Sequence, residues 1–151
     1  MQIRRSIIAT TFLLSSISGS MAFEITGTDG TVLEASEITT LNEPWAMTFL
    51  PDGSMLLNEK SGSMIFIGAN GQASRVEGVP DVFYGGQGGL GDVIAHPDFA
   101  ENRTIYFSYV ERNNQGVGAV VARAKLPAGD TFKLTEIENI WKQSKVGRSG
   151  H

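Results

Sequence analysis

Two proline turns, at Pro51 and Pro97, close short apolar runs and stand 46 residues apart. That spacing constrains the fold more than any other feature. A unit of this length with three or four short strands suits one four-stranded blade of a β-propeller. In the first unit, residues 45–50 form a compact apolar run ended by Pro51-Asp52-Gly53-Ser54, with proline fixing φ at the turn. Residues 55–59 follow, Ser61-Gly62-Ser63 turns the chain into residues 64–67, and Asn70-Gly71 supplies a strong hairpin signal. In the second unit, residues 90–95 run into His96-Pro97-Asp98-Phe99, and strands are expected at 104–110, 118–126 and 137–143. Residues 32–41 read as an extended segment ahead of the first full unit. Glycine supports the turn-rich reading, at 18 of 151 residues against a typical share of about 7%. A β-sandwich also uses short strands and regular turns, and is the structural competitor.

A hydrophobic share of 41% with 19% charged residues excludes intrinsic disorder and a multi-span membrane protein. Twelve basic against 16 acidic residues leave a net charge of −4, so no basic field exists to grip nucleic acid. Residues 1–22 read as a cleaved secretory signal. Arg4 and Arg5 form its positive start, residues 6–17 carry no charge, and Ser20-Met21-Ala22 offers small residues at a cleavage site. The uncharged run is shorter than the ~20 residues needed to span a bilayer, so no stable membrane insertion is expected. A periplasmic location follows for residues 23–151, whose net charge is −6 once Arg4 and Arg5 are removed. The chain has no cysteine, which excludes disulfides, thiolate metal sites and a cysteine nucleophile. Two units are fewer than the four blades a propeller requires. Residues 145–151 form a polar loop with no closing strand, so residues 23–151 are expected to be the N-terminal part of a longer propeller domain.

Local features sort by their context. A formal G-x-G-x-x-G runs from Gly86 to Gly91. A dinucleotide fingerprint needs a helix after it, and the following apolar run is broken by Pro97. The loop instead suits a backbone that lets Gln87 project into a site, since glycine accepts positive φ and close ligand approach; a plain turn between blades is the simpler alternative. His96 reads as a turn histidine, and Asn102-Arg103-Thr104 as a chance glycosylation sequon. Asp52, Asp92 and Asp98 lack the alternating oxygen ligands of a calcium loop.

Three segments in order carry more information than any one alone. They are Pro44-Trp45-Ala46-Met47-Thr48-Phe49-Leu50-Pro51-Asp52-Gly53, Gly86-Gln87-Gly88-Gly89-Leu90, and Asp92-Val93-Ile94-Ala95-His96-Pro97-Asp98-Phe99. With the closing Ser149-Gly150-His151, they resemble the soluble aldose sugar dehydrogenases of the glucose/sorbosone dehydrogenase family. The resemblance implies an all-β fold, here the first two or so blades of a six-bladed β-propeller of four-stranded antiparallel sheets. It also implies periplasmic oxidation of the C1 hydroxyl of an aldose to a lactone, with an external electron acceptor. The cofactors it implies are pyrroloquinoline quinone (PQQ) and calcium. Gln87 matches the family glutamine that lines the cofactor and substrate pocket, and His151 matches the catalytic base, which also contacts the cofactor. In that chemistry the histidine removes the hydroxyl proton while hydride passes from C1 to C5 of the quinone, with calcium polarising the quinone as a Lewis acid. A neutral imidazole suits the base role.

Some positions depart from the family pattern. Gly91 stands where a second leucine is usual, and Asn58-Glu59-Lys60 replaces Thr-Glu-Arg. The arginine that follows the histidine, the quinone's Lys and Arg contacts and the calcium ligands fall beyond His151, so the chain by itself is expected to be inactive. The segment at 32–41 is expected to pair with the last blade. A non-catalytic propeller that binds carbohydrate or protein is the alternative reading, because propellers host many functions. A hydrolase-type propeller would need carboxylate metal ligands, for which Glu59 and Asp92 are the candidates.

Overall fold

The computed structural model describes residues 22–114, 116–129 and 131–144. The leader expected at 1–22 lies outside them except for Ala22, and so does His151. The chain divides into two units, residues 1–38 and 39–151.

In the first unit, β1 (Ala22–Thr26) and β2 (Val32–Ser36) form an antiparallel hairpin with Ala22 opposite Ser36. Its turn is closed by Gly27 N–H donating to the Thr31 carbonyl at 2.8 Å. Asp29 accepts from the Thr31 amide and hydroxyl, which hold its carboxyl below the usual carboxylate range. Within the described residues the extended segment pairs with β1 through β2; the last blade it is expected to join is not among them. The five residues of β1 adjoin the leader, and that short run carries too little periodicity to stand out from sequence.

The second unit holds two four-stranded antiparallel meanders. The first joins β3 (Pro44–Phe49), β4 (Met55–Glu59), β5 (Ser63–Ile67) and β6 (Ala73–Val76) in that order. The second joins β7 (Leu90–Ala95), β8 (Thr104–Asn113), β9 (Gly116–Lys125) and β10 (Thr135–Lys142). Pro51 and Pro97 take the expected equivalent places, each between the first and second strand of its sheet. These are the two propeller blades read from the sequence. The β7–β8 connection holds an element that the sequence did not show, α1 (Phe99–Asn102), a single helical turn. It is held by burial of Phe99 beneath the Arg103 guanidinium, 4.3 Å above the ring.

The blades share one core, and strand alternation decides what enters it. On the face of the first blade turned to the second, Leu56 opposes Phe66, and Met64 opposes both Asn58 and Val76. Leu56, Met64 and Val76 cluster with Leu90, Val93, Phe107 and Val120 of the second blade. Each such side chain contributes about 1.5–3 kcal/mol when fully buried. Among the described residues no helix is long and apolar enough to cross a membrane.

Candidate functional site

The junction between the blades is where the chain departs from regular pairing. Leu90 pairs with Tyr109 and Val93 with Phe107, so Gly91 and Asp92 together oppose Ser108 and form a β-bulge. The groups the bulge withdraws from the ladder find other partners. Asp92 N–H donates to the Ser108 hydroxyl at 2.9 Å, and the Asn58 side-chain amide donates to the Gly91 carbonyl at 2.9 Å. Asn58 is fully buried and reaches across from β4, so it ties the bulge to the first blade.

The glycine loop leads into this bulge and is fixed at both ends. Phe83 N–H donates to the Val110 carbonyl at 2.7 Å, and Val110 N–H donates to the Gly89 carbonyl at 2.9 Å. Within the loop, Gly88 N–H donates to the Gly85 carbonyl at 2.9 Å, and Leu90 N–H donates to the Lys60 carbonyl at 3.0 Å. Gly89 has φ of +147°, and a Cβ there would sit well inside contact distance of the Lys60 carbonyl oxygen. Only glycine fits. Gln87, between Gly86 and Gly88, is exposed, whereas Gly88, Gly89 and Leu90 are buried. The loop is therefore anchored at both ends and presents one amide side chain.

Gln87 lines a cavity of about 170 Å3 with Trp45, Lys60, Gly89, Leu90, Gly91, Ser108, Tyr109, Val110 and Ala119. Both blades contribute to it. Trp45 is 60% exposed, at the edge of β3. The Lys60 ammonium lies 5.5 Å from the centre of the Trp45 ring and 5.9 Å from that of Tyr84. The Tyr84 hydroxyl donates to Glu43 at 2.5 Å, and this hydrogen bond raises the phenol above its ordinary value. Burial raises the Tyr109 phenol as well. An exposed amide, an ammonium and two exposed aromatic rings suit a planar, oxygen-rich, anionic ligand: the rings offer stacking faces, and the amide and ammonium offer donors. Sequence reasoning identified Gln87 but missed Lys60, Trp45 and Tyr84. The only signal was the departure at Lys60, and Trp45 had been read as part of an apolar strand.

The other described candidates lie elsewhere, and His151 lies outside the described residues. The His96 ring accepts at Nδ1 from Asp98 N–H, with the Asn102 amide at 2.9 Å from the same nitrogen. It serves the turn. Asn102 of the sequon is engaged too, its oxygen accepting from Thr104 N–H at 2.8 Å. A larger polar cavity of about 350 Å3 runs beside His96, Arg123 and Lys125. Its two cations are already engaged: Arg123 pairs with Glu138 at 2.7 Å, and Lys125 donates to the Asn102 carbonyl and the Thr104 hydroxyl. The Glu59 carboxylate accepts from Asn42 N–H at 2.7 Å, and that of Asp92 from Val93 N–H at 2.9 Å. No group of three or more His, Asp or Glu side chains forms a metal cradle among the described residues.

Comparison with known proteins agrees with the two-blade architecture. A family model described as Glucose / Sorbosone dehydrogenase matches residues 41–151. The aldose sugar dehydrogenase YliI of Escherichia coli (strain K12) is 40% identical over 115 residues, covering 74% of this chain and 31% of that protein. The crystal structure of the soluble aldose sugar dehydrogenase from Escherichia coli in the apo form matches with a TM-score of 0.62 at 38% identity. That match covers 68% of this chain and 30% of the other. The PQQ-bound aldose sugar dehydrogenase of Streptomyces coelicolor shares the fold, with a TM-score of 0.63 at 22% identity over 72% of this chain and 33% of that one. The chain thus spans about three-tenths of the length of the curated relatives it matches.

Proposed function

Because the chain belongs to the glucose/sorbosone dehydrogenase family, we propose that it serves a PQQ-dependent dehydrogenase that oxidises the C1 hydroxyl of aldose sugars to lactones in the periplasm. The observation that supports this most is the Gln87 loop, anchored at the blade junction with an ammonium and two exposed aromatic rings beside it. When bound, PQQ supplies the two-electron acceptor, and an external acceptor then takes the electrons onward. The residues present fit such a ligand. Gln87 offers an amide that donates to a quinone or sugar oxygen and accepts from a sugar hydroxyl. His151 is the proposed base and a second cofactor contact: its neutral imidazole takes the C1 hydroxyl proton at a ring nitrogen as the C1–H bond gives up its electron pair. Calcium belongs to the proposal as a second cofactor, and the described residues form no cradle for it, so none of them is assigned to hold it.

Residues 1–22 are proposed as the export signal. The test is dye reduction with an aldose, by protein purified from its native source and supplied with PQQ and calcium. Reduction that requires sugar, PQQ and His151 together supports the reading. Reduction that is absent in the loaded wild type, or unaffected by His151→Ala, refutes it.

A further inference from the structure

Lys60 touches the Gln87 loop on both sides of Gln87, and nothing assigned so far explains why. Its ammonium donates to the Gly86 carbonyl at 2.9 Å, one residue before Gln87. Its own carbonyl accepts from Leu90 N–H at 3.0 Å, three residues after Gln87. Its own N–H donates to the Glu43 carbonyl at 3.0 Å. Glu43 in turn accepts from the Tyr84 hydroxyl, and the Tyr84 ring is one of the two that flank the Lys60 ammonium. One residue at the end of β4 therefore joins the Glu43 segment, both aromatic rings and both flanks of the loop.

The loop needs such a device. Gly86, Gly88 and Gly89 surround Gln87 with three residues of the highest backbone freedom, and an amide carried on them loses more entropy on meeting a ligand. The Gly85–Gly88 bond alone closes a turn without fixing where that turn points. The Lys60 ammonium fixes it, because the cation lies within 6 Å of both the Trp45 and Tyr84 ring centres and donates to the Gly86 carbonyl from there.

We infer that Lys60 is a positioning residue: it clamps the glycine loop so that the Gln87 amide is aimed before the sugar arrives. The inference rests on the proposed sugar oxidation for its consequence, while the clamp itself can be tested without sugar. In the ligand-free protein, hydrogen exchange followed by mass spectrometry should show faster exchange over residues 85–90 in Lys60→Met, with exchange over β8 and β9 unchanged. Lys60→Arg, which keeps a cation and a donor, should restore slow exchange. In the loaded enzyme from its native source, Lys60→Met should raise KM for the aldose about 5-fold with kcat nearly kept, the pattern of a lost positioning contact. In a Gln87→Ala background, Lys60→Met should add almost nothing, because the two residues act as one unit.

Unchanged exchange at residues 85–90 in Lys60→Met overturns the clamp. Faster exchange with unaltered KM overturns its role in positioning substrate. A full additional loss from Lys60→Met in the Gln87→Ala background overturns the route through Gln87 and makes Lys60 a direct ligand contact. A wild type with no aldose oxidation refutes the functional reading separately, and the exchange comparison still decides whether Lys60 clamps the loop.

Discussion

Replacing Gly89 with alanine should damage the protein far more than the same change at Gly86, although both glycines sit in one loop at positive φ. Gly86 has φ of +58° and open space where a Cβ would go. Alanine there meets only the cost of the left-handed region, about 1–2 kcal/mol. Gly89 has φ of +147°, a conformation closed to residues with a Cβ, at a strain of about 1–3 kcal/mol. Its Cβ would also drive into the Lys60 carbonyl, which already accepts from Leu90 N–H. Moving that carbonyl leaves buried backbone groups unpaired, at about 1–3 kcal/mol. The two costs together reach about 2–6 kcal/mol. With an m-value of ~1–3 kcal/mol per molar urea, the unfolding midpoint of Gly89→Ala should fall by at least about 0.7 M. Urea titration followed by tryptophan fluorescence measures both variants on one scale. Equal midpoints for Gly86→Ala and Gly89→Ala would show that close approach to Lys60 does not govern the blade junction.

The other expectations concern the site, the turns and export. His151→Gln should lower turnover about 10²–10⁴-fold in the dye assay, the range of general-base catalysis. Gln87→Ala should be milder, with one hydrogen bond of ~0.5–1.5 kcal/mol lost and kcat/KM lowered about 2- to 12-fold. Asp52 accepts from the Ser54 hydroxyl and amide, and those bonds lower its carboxyl below 3.8 in the folded protein. A folded value below the unfolded one stabilises above the unfolded value, and that stability is lost as pH falls through the folded one. The stability gap between wild type and Asp52→Asn, at most about 1 kcal/mol for an exposed turn, should therefore be present at pH 7 and vanish under acid, as read by urea titration at both. Mass spectrometry of periplasmic protein should find Phe23 at the N-terminus, and retention of Met1 would count against residues 1–22 as a cleaved signal.

The elements legible from sequence were those whose information is local. Pro51, Pro97 and Asn70-Gly71 fix their turns through their own chemistry, and the strands between them followed. β6 and α1 were not legible for the opposite reason. β6 contributes one buried apolar residue, Val76, and its register comes from pairing with β5. α1 is four residues long, and burial of Phe99 accounts for it better than helix propensity does. The site divides along the same line. Gln87 could be found because its loop carries its own glycines, and glycine spacing is visible in a sequence. Trp45 could not, because an apolar run does not say which of its alternating faces stays exposed. The second blade covers the Ala46 side of β3 and leaves Met47 and Phe49 on the other face, while Trp45 stands in the bulge between Pro44 and Ala46. Lys60 is harder still. Its ammonium reaches Gly86, 26 residues further along the chain, only because the bulge at Gly91 and Asp92, with Asn58 filling it, sets β7 against β4. A contact of that kind is made by two blades meeting, so neither blade's sequence can show it alone.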